Sequence, residues 1–397
     1  LASDDLDLRL SRLDFLKSSG LLIAGVLASN YMSVQPADAE IVSPTPILTQ
    51  PGDNPMKIGL NLHNLPTEDD LQAIESGFYQ EKQFWVDSPK QLAEHDYTMM
   101  EVSKECTSQT NGSGGETFYT VPSVYSDTPY GHAPKERGLK SPYANALRKI
   151  FSVHADAAGF DPLNEPDRSF CLDGDDAPIY AAEMAITADQ VMQEVGFNGL
   201  LMVPAISDTA GDFGTGFLKK FVAHIRSLEY EFKNETAIST HFYRGAKERN
   251  PLGLVTAATL ARLYFPSDNK QVRGTEGGVT FETRTVPKMQ DMFEYDTSKL
   301  NMRAQEIRQF EGMNYIYNLA RHLAFASMKN YTEHDTQEGG GGFMAGYKNY
   351  NDKPHLVYIE RERLKEQRPL SQAELTKFSN IIWQTECDMS ALALSQY

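Results

Sequence analysis

Two glutamates stand where proton transfer and nucleophilic attack on a sugar would need them. Glu165 lies in Asn164-Glu165-Pro166, closing the stretch Ala157-Ala158-Gly159-Phe160-Asp161-Pro162-Leu163. A glutamate at the carboxyl end of a strand, flanked by an amide donor and a proline, suits a general acid aimed at a sugar oxygen. Glu276 has a similar setting in Arg273-Gly274-Thr275-Glu276-Gly277-Gly278. Glycoside cleavage needs a proton for the leaving oxygen and, on the retaining route, a carboxylate that attacks the anomeric carbon. Glu165 is the expected acid/base and Glu276 the expected nucleophile. Asn164 is placed to donate to a sugar hydroxyl, and Pro166 stiffens the turn. Taken singly, either glutamate reads more simply as a surface carboxylate. Their joint placement on two strand ends carries the expectation.

A supporting segment, Ser239-Thr240-His241-Phe242-Tyr243-Arg244-Gly245, lies between them. Strand alternation would point His241 and Tyr243 to one face, within reach of a shared pocket. A tyrosine hydroxyl donating to a nucleophilic carboxylate helps to keep it ionised. The plainer reading makes both residues satisfied polar groups at a strand end. His63, closing Lys57-Ile58-Gly59-Leu60-Asn61-Leu62-His63, and Trp85 complete the expected substrate-binding set.

Alternating elements must bring these residues together. Lys57 to His63 reads as a first strand, and Thr67 with the acids after it as a helix start, with Leu71, Ile74 and Phe78 along one face. Gln83 to Val86 and Thr117 to Val121 are the next expected strands, although Gly, Ser, Thr and Pro break the pattern between Asp87 and Ser141. Leu147, Ile150, Phe151 and His154 then recur at helical spacing. Helices over Ile179–Val195, Phe217–Leu228 and Leu254–Tyr264 alternate with strands over Gly199–Ile206, Ala237–Tyr243 and Gln271–Glu276. Met313–Met328 reads as a long helix, and Glu360–Lys365 as a solvated helical face. Strands separated by helices imply parallel pairing, hence a closed barrel or an open doubly wound sheet. A barrel gathers its carboxyl strand ends around one mouth, where glutamates far apart in sequence can approach to roughly 5 Å.

Composition narrows the partners. The chain has 397 residues, 41% of them apolar, and fits one α/β barrel with insertions. With 54 acidic and 37 basic residues the formal charge is -17, which disfavours nucleic acid or an anionic membrane surface. Cys106, Cys171 and Cys387 are too scattered for a zinc site or a disulfide framework. Gly339 to Gly342 lacks the lysine and helix of a phosphate cradle, and His334 and Asp335, adjacent on a strand, would point to opposite faces. Neither a metal nor a cofactor is expected. At the N-terminus, Arg9, Arg12 and Lys17 precede the apolar run Leu21 to Ala28, and Ala37-Asp38-Ala39 suits signal-peptidase cleavage. The expected organisation is an export signal over 1–39, a linker over 40–55 and a barrel over 56–397, in a secreted or periplasmic protein. The apolar run is too short to span a membrane comfortably.

From about Ala144 to Gly278 the chain resembles the clan of retaining glycoside hydrolases built on (β/α)8 TIM barrels, particularly cellulase-like family 5 and its relative family 39. The resemblance rests on the order Asn164-Glu165-Pro166, His241-Phe242-Tyr243 and Thr275-Glu276-Gly277, with Tyr180-Ala181-Ala182-Glu183 and Val203-Pro204-Ala205 between. It implies a (β/α)8 barrel that hydrolyses β-linked oligo- or polysaccharides by a retaining two-glutamate mechanism. It also implies an arginine on the second strand, where Gly77 to Asp87 offers only Lys82. A tryptophan platform is implied on the eighth strand, yet Asn330 to Asp335 has none, leaving Tyr331 or Trp85 to substitute. These departures motivate the alternative of a catalytically inactive carbohydrate-binding barrel.

Overall fold

Eight short strands, buried along most of their length, pair side by side and close on themselves. They are β1 (Lys57–Leu62), β2 (Glu81–Trp85), β3 (Glu116–Thr120), β4 (Gly159–Asp161), β5 (Leu200–Met202), β6 (Thr236–His241), β7 (Gln271–Glu276) and β8 (Ser327–Thr332). Every pairing is parallel, and β8 returns to β1, so the sheet is a closed (β/α)8 barrel. The computed structural model describes Leu48 and residues 56–62, 68–77, 79–85, 115–121, 137–168, 175–208, 212–266, 271–279, 302–332 and 356–395. The expected export signal over 1–39, almost all of the expected linker over 40–55, His63, Phe78, Cys106, Cys171, His334, Asp335 and Gly339 to Gly342 lie outside the described residues.

Helices α1 (Glu68–Glu75), α2 (Pro142–Val153), α3 (Ala177–Val195), α4 (Asp212–Ser227), α5 (Tyr243–Glu248), α6 (Leu252–Leu263) and α7 (Met302–His322) lie between strands. After β8 come α8 (Leu356–Ile359), α9 (Arg361–Lys365) and α10 (Gln372–Leu394). The local chemistry explains the boundaries. Ser141 caps α2 by accepting the Ala144 amide at 3.1 Å, and Pro142 occupies the first turn, where its missing N–H costs nothing. Gly196 ends α3 in the left-handed region at φ 71°, a conformation that a residue without a Cβ adopts freely. Ser371 and Glu374 form a reciprocal capping box at the start of α10. None of the described helices is long and apolar enough to cross a membrane.

Two expectations change. The helix placed over Met313–Met328 is instead Met302–His322, because the chain turns through the left-handed Ala324 at φ 48° and re-enters the sheet, which puts Met328 on β8. Tyr243 does not continue the β6 strand. It opens α5, because the backbone bends at Phe242 after a register shift between Thr240 and His241. Helix α10, for which no expectation was formed, packs on α4 and α6. Its position explains why α6 is buried on nearly every side: the barrel covers one face and α10 the other.

The barrel interior departs from the usual filling of branched aliphatic residues. Residues alternate in and out along each strand, and each step around a closed barrel climbs about one residue. The registers therefore stack the even strands in tiers: Glu81, Gly159, Ala237 and Ser327; then Gln83, Asp161, Ser239 and Lys329; then, at the mouth, Trp85, His241 and Tyr331. Phe118, Leu200, Met202 and Ala237 form an apolar cluster low in the barrel. Beside it Glu81 pairs with Arg273 at 2.9 Å and with Lys329 at 3.3 Å. Both cations also lie over the Phe118 ring, at 5.0 and 4.1 Å from its centroid. Burial pushes the Glu81 carboxyl up, but the charges of Lys329 and Arg273 outweigh it and hold the group below the usual carboxylate range.

Candidate active site

The carboxyl ends of β4, β6 and β7 bring Glu165, His241 and Glu276 together. One ligand atom from each lies within 4.8 Å of the other two. His241 Nδ1 stands 3.1 Å from Glu165 Oε1, and Nε2 stands 3.7 Å from Glu276 Oε2. The imidazole is fully buried between two carboxylates. Tyr243, despite leaving the strand, donates its hydroxyl to Glu276 Oε1 and packs edge-on against both His241 and Tyr331.

Glu165 is held in an unusual backbone state. Its φ is 46°, in the left-handed region, although it carries a Cβ and precedes Pro166. Such a conformation costs on the order of 1–3 kcal/mol and persists where the surroundings over-determine it. Here the Glu165 amide donates to the Ala205 carbonyl at 2.8 Å, and Asn164 bridges to Ala205, so the end of β5 fixes the turn. Asp167 adds a second tie, accepting the Ser207 amide at 2.7 Å. At Glu276 the following residue must be small: a Cβ on Gly277 would meet the Phe242 ring at 2.5 Å. The Phe242 amide in turn donates to the Glu276 carbonyl at 3.0 Å. Asp208 accepts the Arg244 and Gly245 amides at 2.6 and 2.7 Å, which anchors the first turn of α5 and hence Tyr243.

Electrostatics places the proton. Burial opposes charge on His241, but the Glu276 and Glu165 carboxylates, with Asp161 behind them, outweigh it and raise the imidazole to about 9. Burial alone would lift Glu165; the hydrogen bond and charge of His241, with help from Arg168, hold it below its ordinary value instead. In the sugar-free site the proton therefore rests on the imidazole side of the His241–Glu165 pair. Burial raises the Tyr243 phenol well above its ordinary value, and Glu276 adds to that, so Tyr243 remains a donor.

Of the other expected residues, Trp85 closes β2 and donates its indole N–H to Asn61 Oδ1 at 3.0 Å, while Asn61 Nδ2 donates to the Thr275 carbonyl at 2.8 Å. Trp85 is thus tied, through Asn61, to the residue before Glu276. Asn164 is buried, and its Oδ1 has no hydrogen-bond partner among the described residues. Lys82, the one basic residue on β2 where the resemblance implied an arginine, alternates with the inward Glu81 and Gln83 and so points away from the axis. Asn61, Asp161, Asp167, Asp208 and Lys329 were not singled out beforehand as site residues. For Asp161 and Lys329 a charged residue at an inward strand position was the available signal, whereas Asp167 and Asp208 lie in the loops after β4 and β5 and offered none.

Comparison with solved structures finds the same architecture. The chain is similar to xylanase XynB from Paenibacillus barcinonensis, at 13% identity and a TM-score of 0.50, with 79% of this chain and 96% of that one covered. It is also similar to a thermostable mutant of a Cellvibrio japonicus xylanase, at 12% identity and a TM-score of 0.51, covering 79% and 98%. A mutant xylanase A of P fluorescens subsp. cellulosa in complex with xylopentaose aligns at 11% identity and a TM-score of 0.52, with the same coverage. These likenesses establish the fold. No protein-family model matches the chain, and no curated protein matches it in sequence.

Replacing Tyr243 with phenylalanine removes one hydrogen bond to a charged group and little volume. Such a bond contributes about 1.5–3 kcal/mol to stability, so the melting temperature is expected to fall by a few degrees, and kcat/KM on a cleaved glycoside to fall about 10- to 100-fold where the bond is held in the transition state. Steady-state kinetics beside a thermal melt checks both.

Proposed function

We propose that this protein hydrolyses β-linked oligo- or polysaccharides with retention of configuration, and that it belongs with the clan of retaining glycoside hydrolases that includes families 5 and 39. The observation that carries this reading is the close approach of the Glu165 and Glu276 carboxylates, within 4.8 Å at one oxygen each, on the strand ends of one barrel mouth. Retaining enzymes hold their carboxyl groups about 5–5.5 Å apart, whereas inverting enzymes need about 6.5–9.5 Å to admit a water.

The reaction follows from the groups present. Glu276, held by the Tyr243 hydroxyl, attacks the anomeric carbon as the glycosidic C–O bond breaks. Formation of the ester consumes the carboxylate charge that kept His241 protonated. In the same step, as that charge is lost, the imidazole proton passes from Nδ1 to Glu165 and Glu165 delivers it to the leaving oxygen while the C–O bond breaks. In the second half, Glu165 takes a proton from water, the water oxygen displaces Glu276 from the sugar, and the proton returns to His241. Each half starts and ends with the same net charge on the three side chains. His241 thus serves as the store for the proton that Glu165 spends.

Glu165, His241 and Glu276 form a donor set that would also suit a divalent cation. The two-glutamate route uses those atoms as acid, base and nucleophile and draws on no metal. A glycan screen in the presence and absence of a chelator, with the product anomer followed by NMR, tests the reading. Chelator-insensitive cleavage that first yields the β-anomer is expected; first appearance of the α-anomer would overturn it. Glycan binding without cleavage across the panel would favour the inactive binding barrel. Export to the periplasm or medium remains part of the proposal and is checked by fractionating cells that express the full chain.

A further inference from the structure

The tier directly beneath His241 consists of four polar side chains, Gln83, Asp161, Ser239 and Lys329, one from each even strand. All four are fully buried. Gln83 Oε1, Asp161 Oδ2 and Ser239 Oγ have no hydrogen-bond partner among the described residues, and Lys329 reaches down to Glu81 in the tier below. Asp161 Oδ1 meets the Leu163 amide at 3.4 Å, a weak contact. A buried carboxylate without good partners is costly, and the central tier of such a barrel is ordinarily apolar. Its retention four residues before Glu165, between an imidazole above and an ammonium beside it, calls for a role.

We propose that Asp161, counterbalanced by Lys329, is a positioning residue that fixes the charge of His241 from inside the barrel and thereby sets the pH range over which the glutamate pair works. The inference rests on the two-glutamate reading of the mouth. Asp161 faces His241 from β6, Glu276 from β7 and Lys329 from β8, and Lys329 is in turn held by Glu81 and repelled by Arg273. His241 also feels Glu165 and, from the loops after β4 and β5, Asp167 and Asp208. Of these carboxylates Asp161 is the one on the tier beneath the ring, and it is fully buried. Burial lifts Asp161 to about 7, with the charges of His241 and Lys329 opposing, so its charge changes near neutrality.

The signs are definite. An Asp161 carboxylate favours the imidazolium and disfavours charge on Glu276. Asp161→Asn keeps the shape and removes the charge, so it lowers the His241 pKa and moves both limbs of the kcat/KM profile toward acid. The expected shift is about one pH unit, the lower end for a close charge. NMR titration of the His241 imidazole reads this without turnover, in the wild type, in Asp161→Asn and in Ser239→Ala, which alters the same tier without altering charge. The expected result is a fall in Asp161→Asn and none in Ser239→Ala. Equal shifts in both variants, or no shift in Asp161→Asn, would overturn the proposal. Should Asp161→Asn fail to fold, the carboxyl carbon of Asp161 in the wild type supplies the test. An inflection near neutrality mirrored in the His241 resonance supports the coupling, and an ordinary carboxylate titration with no mirrored inflection refutes it. A shifted imidazole in a protein that cleaves no glycan would retire the enzymatic reading and leave the charge coupling standing. Cleavage with an unmoved imidazole would do the reverse.

Discussion

Glu276→Ala is expected to bring glycoside hydrolysis down to the uncatalysed level while leaving the fold intact. The side chain makes its described contacts with Tyr243 and His241 at the mouth, and the backbone bond from Phe242 to the carbonyl of residue 276 survives the substitution. What disappears is the atom that bonds to the anomeric carbon. Transition-state stabilisation by Glu165 alone has no covalent intermediate to act on. The hole left by the carboxylate makes a stricter check available. Azide supplied in solution can attack from the vacated side, giving a glycosyl azide of inverted configuration from a substrate with a good leaving group. Near-normal turnover in the purified alanine variant, or failure of azide to produce that product when the variant still binds sugar, would remove Glu276 from the nucleophile's role.

Glu165→Ala should act differently, and the difference identifies the acid/base. General acid–base catalysis contributes about 10²–10⁴-fold, so kcat on a sugar leaving group is expected to fall by that order. A leaving group that departs without a proton, such as a dinitrophenolate, relieves the first half-reaction. The glycosyl-enzyme then accumulates, because activation of water still needs Glu165, and the kinetics show a burst followed by a slow steady state. Azide should here restore the second step with retained configuration. An equal loss on activated and ordinary substrates would instead say that Glu165 holds the site's shape. The substitution also strands the proton on His241, so the alkaline limb of the remaining activity should no longer report the His241–Glu165 pair.

Much of this arrangement was legible in the sequence, for reasons that vary by element. β7 was read at its observed bounds, because Gln271 to Glu276 is a short run between clear breakers, and α3 within two residues, because its apolar periodicity is long. Glu165, His241 and Glu276 converge as their strand ends required. Tyr243 reaches Glu276 by a route that alternation did not describe: a bulge and the bend at Phe242 turn the strand into a helix, and a tertiary anchor at Asp208 fixes that turn. The boundary between α7 and β8 was misplaced because the apolar residues of a helix end and of a strand start run together, and only the left-handed Ala324 separates them. The charged interior was not read at all. Glu81, Arg273 and Lys329 lie on three strands far apart in the chain, and their pairing exists only once the barrel closes.

On the proposed role of Glu165, its left-handed backbone sets catalysis against durability at one position. A residue at φ 46° with a side chain gives up conformational energy that glycine would not, so Glu165→Gly should unfold at higher denaturant than Glu165→Ala. On the proposed reading, the carboxyl at position 165 is held at a cost in conformational energy that the turn between β4 and the following chain must bear.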